Sequence, residues 1–199
     1  MQQATINLPL GKATLIVPAE DAARILIEQF TQSSRKPAAS LPKIGEYWPG
    51  QGGVYVGLMR GHDGQPDYHL IAAPGEAGFV KEITWGGYEK DEPDAKSEWD
   101  GKANTLALAR SSIDHPAAEW AAGLEIDGHA DWYLPARRES VLCYANTPEL
   151  FEKAWYWTST QCSPGGAWLQ GFGDGGQDTC HKNDELRARA VRRFVHLPL

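Results

Sequence analysis

Residues 171–176, Gly171-Phe172-Gly173-Asp174-Gly175-Gly176, satisfy the spacing G-x-G-x-x-G, in which backbone amides approach a pyrophosphate closely. That chemistry needs the loop to join a strand to a helix inside a βαβ unit. Here the following segment, Gln177 to Asp184, is polar and turn-rich, so the run reads as a hairpin loop. Six histidines and three cysteines raise the question of zinc, yet neither C-x-x-C nor H-E-x-x-H occurs. Cys180 and His181 are adjacent, and neighbours on a strand point apart. No metal ligand is assigned. Cys143 reads as a small core residue of a short helix, while Cys162 and Cys180 are left between free thiols and a disulfide formed on oxidation. There is no G-x-S-x-G elbow and no recognisable pair of acids, so no catalytic residue and no cofactor is assigned, and the chain is expected not to be an enzyme.

Arg187, Arg189, Arg192 and Arg193 form the one dense basic run. Its simplest reading is a terminal strand whose charges pair with nearby acids such as Asp184 and Glu185; the shared parity of Arg187, Arg189 and Arg193 also suits a clamp on an acidic partner. The whole chain carries a formal charge of −7, which attracts neither nucleic-acid phosphates nor an anionic membrane. Partners of both kinds are therefore not expected.

The elements that must position these groups follow from pattern. The 199 residues suffice for one well-filled core, and eight Trp with 21 Gly and 13 Pro favour an irregular, loop-rich α+β domain. Ile6 to Val17 reads as a hairpin turning at Gly11-Lys12. Ala19 to Phe30 places Ala22, Ile25, Leu26 and Phe30 on one helical stripe, and Thr31 to Pro42 reads as a linker. Residues 1–40 thus form an arm whose stripe packs on its own domain or pairs between chains as a homo-oligomer contact. The main domain, residues 45–199, opens with strands Gly53 to Met59 and Tyr68 to Ala72. A helix capped by Asp100 is expected to bury Ala103, Leu106, Ala107 and Arg110 on its inner stripe, and a second, from Asp114 and Pro116, to use Pro116, Trp120 and Leu124. Next come Trp132 to Leu134 as a strand, a helix from Ala136 to Ala145, and strands at Trp155 to Thr160, Ala167 to Phe172 and Ala188 to Val195. Trp155 and Trp157 are expected on a dry face, with Tyr156, Thr158 and Thr160 forming a polar strip opposite.

The landmarks Asp131-Trp132-Tyr133-Leu134-Pro135-Ala136-Arg137-Arg138-Glu139, Tyr156-Trp157-Thr158-Ser159-Thr160, Ala167-Trp168 and Arg189-Ala190-Val191-Arg192-Arg193 occur in an order that resembles the bacterial and phage C-type-lectin-like family of the Lcl collagen-like adhesin C-terminal domain. Tyr133 departs from that pattern, which usually carries Arg there. The resemblance implies an α+β, C-type-lectin-like fold in which irregular antiparallel sheets are flanked by two main helices. It also implies a non-enzymatic, phage-encoded or bacterial recognition module that binds a protein or a glycan through the loops of its C-terminal half. Those loops are Gln161 to Gly166 and Gly173 to Asn183; they supply the candidate contacts Gln161, Ser163, Asp174, Gln177, Asp178, His181 and Asn183, with Trp168 and Phe172 as aromatic anchors. Gly173 to Asn183 is expected to be replaceable as a loop without loss of stability. Gln65-Pro66-Asp67 matches a calcium and sugar tripeptide of true C-type lectins, but it lies in the first hairpin and the Trp-Asn-Asp element is replaced by Trp157-Thr158-Ser159, so binding is expected to be calcium-independent. With no stretch resembling a signal peptide or a membrane span, the expected location is cytoplasmic, including a host cytosol, or virion-associated. The alternative function is an intracellular effector that inhibits a host defence protein.

Overall fold

A computed structural model describes residues 5–10, 13–18, 24 and 41–195 of the protein. The chain divides into two units, Met1–Leu41 and Pro42–Leu199. In the first, β1 (Thr5–Leu10) pairs antiparallel with β2 (Ala13–Pro18), Ile6 opposite Val17 and Leu8 opposite Leu15. The amphipathic helix expected over residues 19–30, its oligomer stripe and the linker lie, but for Arg24, Leu41 and Pro42, outside the described residues.

The second unit is α+β. In chain order it contains β3 (Tyr47–Trp48), β4 (Gly53–Met59), β5 (Tyr68–Ala72), β6 (Phe79–Thr84), α1 (Gly101–Ala109), α2 (Pro116–Ala122), α3 (Arg137–Asn146), β7 (Trp155–Ser163), β8 (Gly166–Gly171), β9 (Gln177–His181), β10 (Glu185–Arg189) and β11 (Val191–Phe194). These strands make two mostly antiparallel sheets, ordered β11-β5-β4-β3 and β6-β10-β7-β8-β9, with one parallel pairing between β10 and β7. Strands β4 and β5 fall where the apolar runs put them, and both faces of β5 are buried. Their connection is closed by Asp67, whose carboxylate accepts the Gly61 N–H at 2.8 Å, so the acid of the Gln-Pro-Asp tripeptide serves the turn.

Several faces differ from the pattern expected of them. Helix α1 is capped by the Asp100 carboxylate, which accepts from Ala103 N at 2.9 Å, but it buries Gly101, Asn104, Thr105 and Leu108 and leaves Ala103, Leu106 and Arg110 exposed. The buried polar pair is satisfied: Asn104 accepts from Ser97 N and donates to Ser97 O, and Thr105 Oγ1 donates to Leu134 O while accepting from Leu134 N. Helix α2 buries Ala117, Ala118 and Ala121, with Trp120 and Leu124 packed partly against the same core. In β7 the alternation is broken. Trp155 is exposed, Trp157 and Tyr156 enter two different hydrophobic clusters, and the register shifts after Trp157. Thr158 and Thr160 form no polar strip; both are buried, donating to Trp168 O and Ser97 O at 2.8 and 2.9 Å.

The segment expected as one strand from Ala188 to Val195 is two. Ala190, fully buried, separates β10 in one sheet from β11 in the other, its N–H donating to Gly78 O and its carbonyl accepting from Ala73 N. Gly173 to Asn183 is likewise no free loop, because it contains β9, which pairs with β8 along its length, and the buried Lys182. The expected strand Trp132 to Leu134 reduces to a single bridge between Tyr133 and Val191. The parity holds there: Trp132 and Leu134 enter one cluster and Tyr133 the other, so the corner sits where the two cores meet.

Pro135 ends that corner and α3 begins at Arg137. Glu139, in its first turn, is fully buried, and Oε2 accepts from Ala136 N at 2.7 Å and Gly101 N at 3.2 Å. Oε1 accepts from the hydroxyls of Tyr68 and Tyr133 at 2.6 and 2.8 Å. Burial raises its pKa to about 7, against the hydrogen bonds from Tyr68, Ala136 N and Tyr133 and the Arg193 charge, which pull it down. A carboxyl raised in the folded state binds its proton more tightly there, so its contribution is full below the ordinary range near 4.5 and is lost as pH rises through about 7. In Glu139→Gln the amide satisfies one pair of donors and turns its nitrogen on the other. The expected cost is about 1–3 kcal/mol in urea unfolding at neutral pH. The gap between wild type and variant should widen as pH falls from 7 to 4.5; a constant gap would show that Glu139 does not titrate in that window.

Candidate functional site

The candidate site is built on a turn that sequence reasoning passed over. Gly86 and Gly87 both have positive φ, 86° and 59°, and leave β6 pressed against the residue before α2. A Cβ on Gly87 would stand 2.4 Å from His115 Cε1, so the backbone passes there only as glycine. Lys90 N then donates to Gly87 O at 3.1 Å, closing a turn whose middle residues are Tyr88 and Glu89. Glu89 has φ 63°, a left-handed conformation that costs a residue with a Cβ about 1–3 kcal/mol unless its surroundings hold it. Tyr88 is 41% exposed and meets the His181 ring edge-on, centroids 5.9 Å apart.

Tyr88 and Glu89 form one wall of an open groove of about 570 Å3. The hairpin Cys162–Gly166 between β7 and β8 forms the second wall, and Thr179 to His181 of β9 the third. The groove therefore offers a phenol ring, a carboxylate, two aliphatic hydroxyls, two thiols and an imidazole at the end of the sheet. Such groups recognise ligands by stacking and hydrogen bonds.

A buried ionic centre involves the same turn. Lys182, with no exposed surface, donates from Nζ to Lys90 O at 2.8 Å, Gly87 O at 3.4 Å and Gln161 Oε1 at 2.6 Å, and its ammonium lies 4.6 Å from the centre of the Trp85 ring. Gln161 Oε1 also accepts from Glu92 N, and Gln161 Nε2 donates to Asp91 Oδ1 at 2.7 Å. Glu92 in turn pairs with the buried His115 at 3.0 Å and accepts from Ser111 Oγ. Burial lowers the Lys182 pKa to about 8, opposed by the carboxylates of Glu92 and Asp91.

Of the nine residues singled out from sequence, Ser163 and His181 line the groove. Gln161 lies buried beside Lys182 and acts as structure. Phe172 is a core residue, stacked on Phe151 at 3.7 Å and edged by Tyr156, so it is no surface anchor. Trp168 lies under the Arg137 guanidinium at 3.6 Å, and Gln177 accepts from Arg137 Nε at 2.7 Å, both held within this domain. Asp174 caps Gly176 N, Asp178 accepts from Thr179 N, and Asn183 is exposed in the turn after β9; none of the three lines the groove. The one signal for Tyr88 and Glu89 was the Gly-Gly pair before them, which marks a turn without saying what it faces.

A smaller opening of about 230 Å3 is lined by residues including Arg60, Tyr68, Trp99 and Arg193. His62 stacks on Trp99 at 4.8 Å, Arg193 pairs with Asp100 at 3.1 Å, and the Tyr68 hydroxyl is committed to Glu139. Among the described residues no group of three or more His, Cys, Asp or Glu is placed to hold a metal ion, and no helix is long and apolar enough to cross a membrane.

The three thiols are free. Cys162 lies on β7 and Cys180 on β9, strands that flank β8, so roughly 9–10 Å separates them. A disulfide tolerates at most about 7 Å between Cα atoms. Cys180 also packs partly on the core and donates to Asp184, whereas Cys162 is exposed. Mild oxidation of the folded protein should leave Cys162 and Cys180 unlinked, and maleimide should label Cys162 first and Cys143 only on unfolding; peptide mass mapping reads both, and a 162–180 crosslink would contradict the strand order. No family model and no curated protein matches the chain, so the functional reading rests on the chemistry of the groove.

Proposed function

We propose that the chain is a C-type-lectin-like recognition module that binds a protein or glycan, without calcium, through the groove walled by Tyr88-Glu89, Cys162–Gly166 and Thr179–His181. The observation that carries this reading is the Tyr88-Glu89 turn, in which a strained acidic residue and an exposed aromatic are presented at an open groove. Strain of this kind persists where the surroundings over-determine it, and it gathers at binding and catalytic sites. The order of motifs from Asp131 to Arg193 supports the fold family, and the sheet under the groove supplies the rigid base on which recognition loops vary without cost to the core.

Tyr88 and Glu89 replace most of the contacts expected from the C-terminal loops, and Ser163 and His181 remain with them. An aromatic or charged anchor that a ligand covers in such a groove contributes on the order of 2 kcal/mol or more to binding, so losing one weakens capture roughly thirtyfold. Immobilised glycans and displayed peptides, probed with wild type, Tyr88→Ala, Glu89→Ala and the off-groove control Asn183→Ala, test the reading. The two groove variants should lose the wild-type signal, the control should keep it, and a chelator should change nothing. A wild-type signal retained by the double variant Tyr88→Ala/Glu89→Ala would rule the groove out as the binding surface.

A further inference from the structure

Lys182 is an unusual residue to bury, and its surroundings are specific. Its ammonium donates only to oxygen: two backbone carbonyls from either end of the Gly87–Lys90 turn and the side-chain carbonyl of Gln161. Two carboxylates, Asp91 and Glu92, reinforce the cage electrostatically, with the Cys162 thiol also near and Lys96 the opposing cation. Lys96 is itself paired with Asp91 at 2.8 Å. The Trp85 ring closes one side, with the buried His115 edge-on to that ring and bonded to Glu92. Oxygen ligands of these kinds, carbonyls with carboxylates beyond them, are those that hold a hard cation. Here the cation is covalently part of β9's exit turn, and the carbonyls that it gathers flank Tyr88 and Glu89.

We propose that Lys182 is the positioning residue of the groove: its ammonium, acting as a resident cation in the oxygen cage, holds the Gly87–Lys90 turn in the left-handed geometry that presents Tyr88 and Glu89. Without a positive charge there, Gly87 O and Lys90 O lose their shared donor, and the strain at Glu89 is relieved by letting the turn open. Gln161 has a supporting part. It orients its carbonyl toward Lys182 by donating to Asp91, and it fixes the other end of the loop through Glu92 N. The importance of this cage for binding rests on the groove reading, but the cage itself can be tested with no ligand at all.

The readout is hydrogen exchange at the Lys90 amide, which the turn protects, with the Thr105-bound Leu134 amide as a distant control. Truncation in Lys182→Ala should speed Lys90 exchange about tenfold or more while Leu134 stays protected, because a charge-assisted bond to two carbonyls is lost. Adding propylammonium should restore protection; propanol at the same concentration, and sodium chloride, should not. Equal rescue by propanol would show that the site needs volume rather than charge and would overturn the proposal, as would unchanged exchange at Lys90 or a folded variant that no ammonium rescues. Should Lys182→Ala fail to fold, Gln161→Met, which keeps the lysine and removes one acceptor, gives the same decision: faster exchange at Lys90 supports the cage, and wild-type exchange refutes it. Failure of the ligand screen with an intact ammonium rescue would discard the groove reading and leave the cage standing.

Discussion

One buried carboxylate ties the corner before α3, strand β5 and helix α1 to one another. Glu139 takes two backbone donors, from the corner at Ala136 and the start of α1 at Gly101, and two hydroxyls, from β5 at Tyr68 and the corner at Tyr133. A carboxylate taken from water costs several kcal/mol unless its lone pairs are met, so strand, corner and both helices have one mutual placement that satisfies it. The fit is tight: a Cβ on Gly101 would lie 2.4 Å from Glu139 Oε2 and 2.5 Å from Ala136 N. Tyr133 supplies a neutral donor here, and the cation of this neighbourhood is Arg193, whose ring contact is with Tyr68.

The second constraint is the change of sheet at Ala190. Because β10 and β11 follow each other with one residue between, the strand that ends the large sheet begins its work in the small one, and the basic run is distributed across the junction. Arg189 donates to Ala73 O and Gly75 O and lies over Phe79 and Phe151; Arg192 grips Asp131 and Gln51; Arg193 pairs with Asp100, the cap of α1. Arg187 pairs with Glu152. The charges expected to meet Asp184 and Glu185 thus reach partners distant in sequence, and they fasten the corner and the first helix to the junction. No acidic clamp is left over from Arg187, Arg189 and Arg193.

How far the sequence spoke for this structure depended on whether the deciding partner was local. The Asp100 cap, the Pro135 stop, the parity of Trp132 to Leu134 and strands β4 and β5 are decided within a few residues, and they stand where pattern puts them. Helix α1 shows the opposite case. Leu106 is the more apolar residue, yet Asn104 and Thr105 go inward because Ser97 and Leu134 offer them hydrogen bonds from elsewhere in the chain. Strand β9 has no apolar alternation to reveal it, since an edge strand with Gln177, Asp178 and Thr179 looks like a loop until β8 lies beside it. The groove was half legible for the same reason. Ser163 and His181 came from loop composition, but Tyr88 and Glu89 are brought to them across some 75 or more residues by the sheet, a juxtaposition that no spacing rule encodes.

Two buried charges of opposite sign now divide the labour. Glu139 is raised to about 7 and Lys182 lowered to about 8, both by burial. The stability offered by the acid is lost as pH climbs through 7, and that offered by the lysine is gained only as pH climbs beyond 8, toward its ordinary value of 10.5. Burial thus sets a desolvation cost on the charged form of each group. Apolar residues of similar size would remove the costs, as replacements of buried ion pairs often do. Apolar residues would also remove the hydrogen bonds that draw distant segments to each group. Glu139 selects the one placement of corner, strand and helices that feeds it four donors, and Lys182 selects the one course of the Gly87–Lys90 turn that brings two carbonyls to its ammonium. The first charge fixes the scaffold and the second fixes what the scaffold displays.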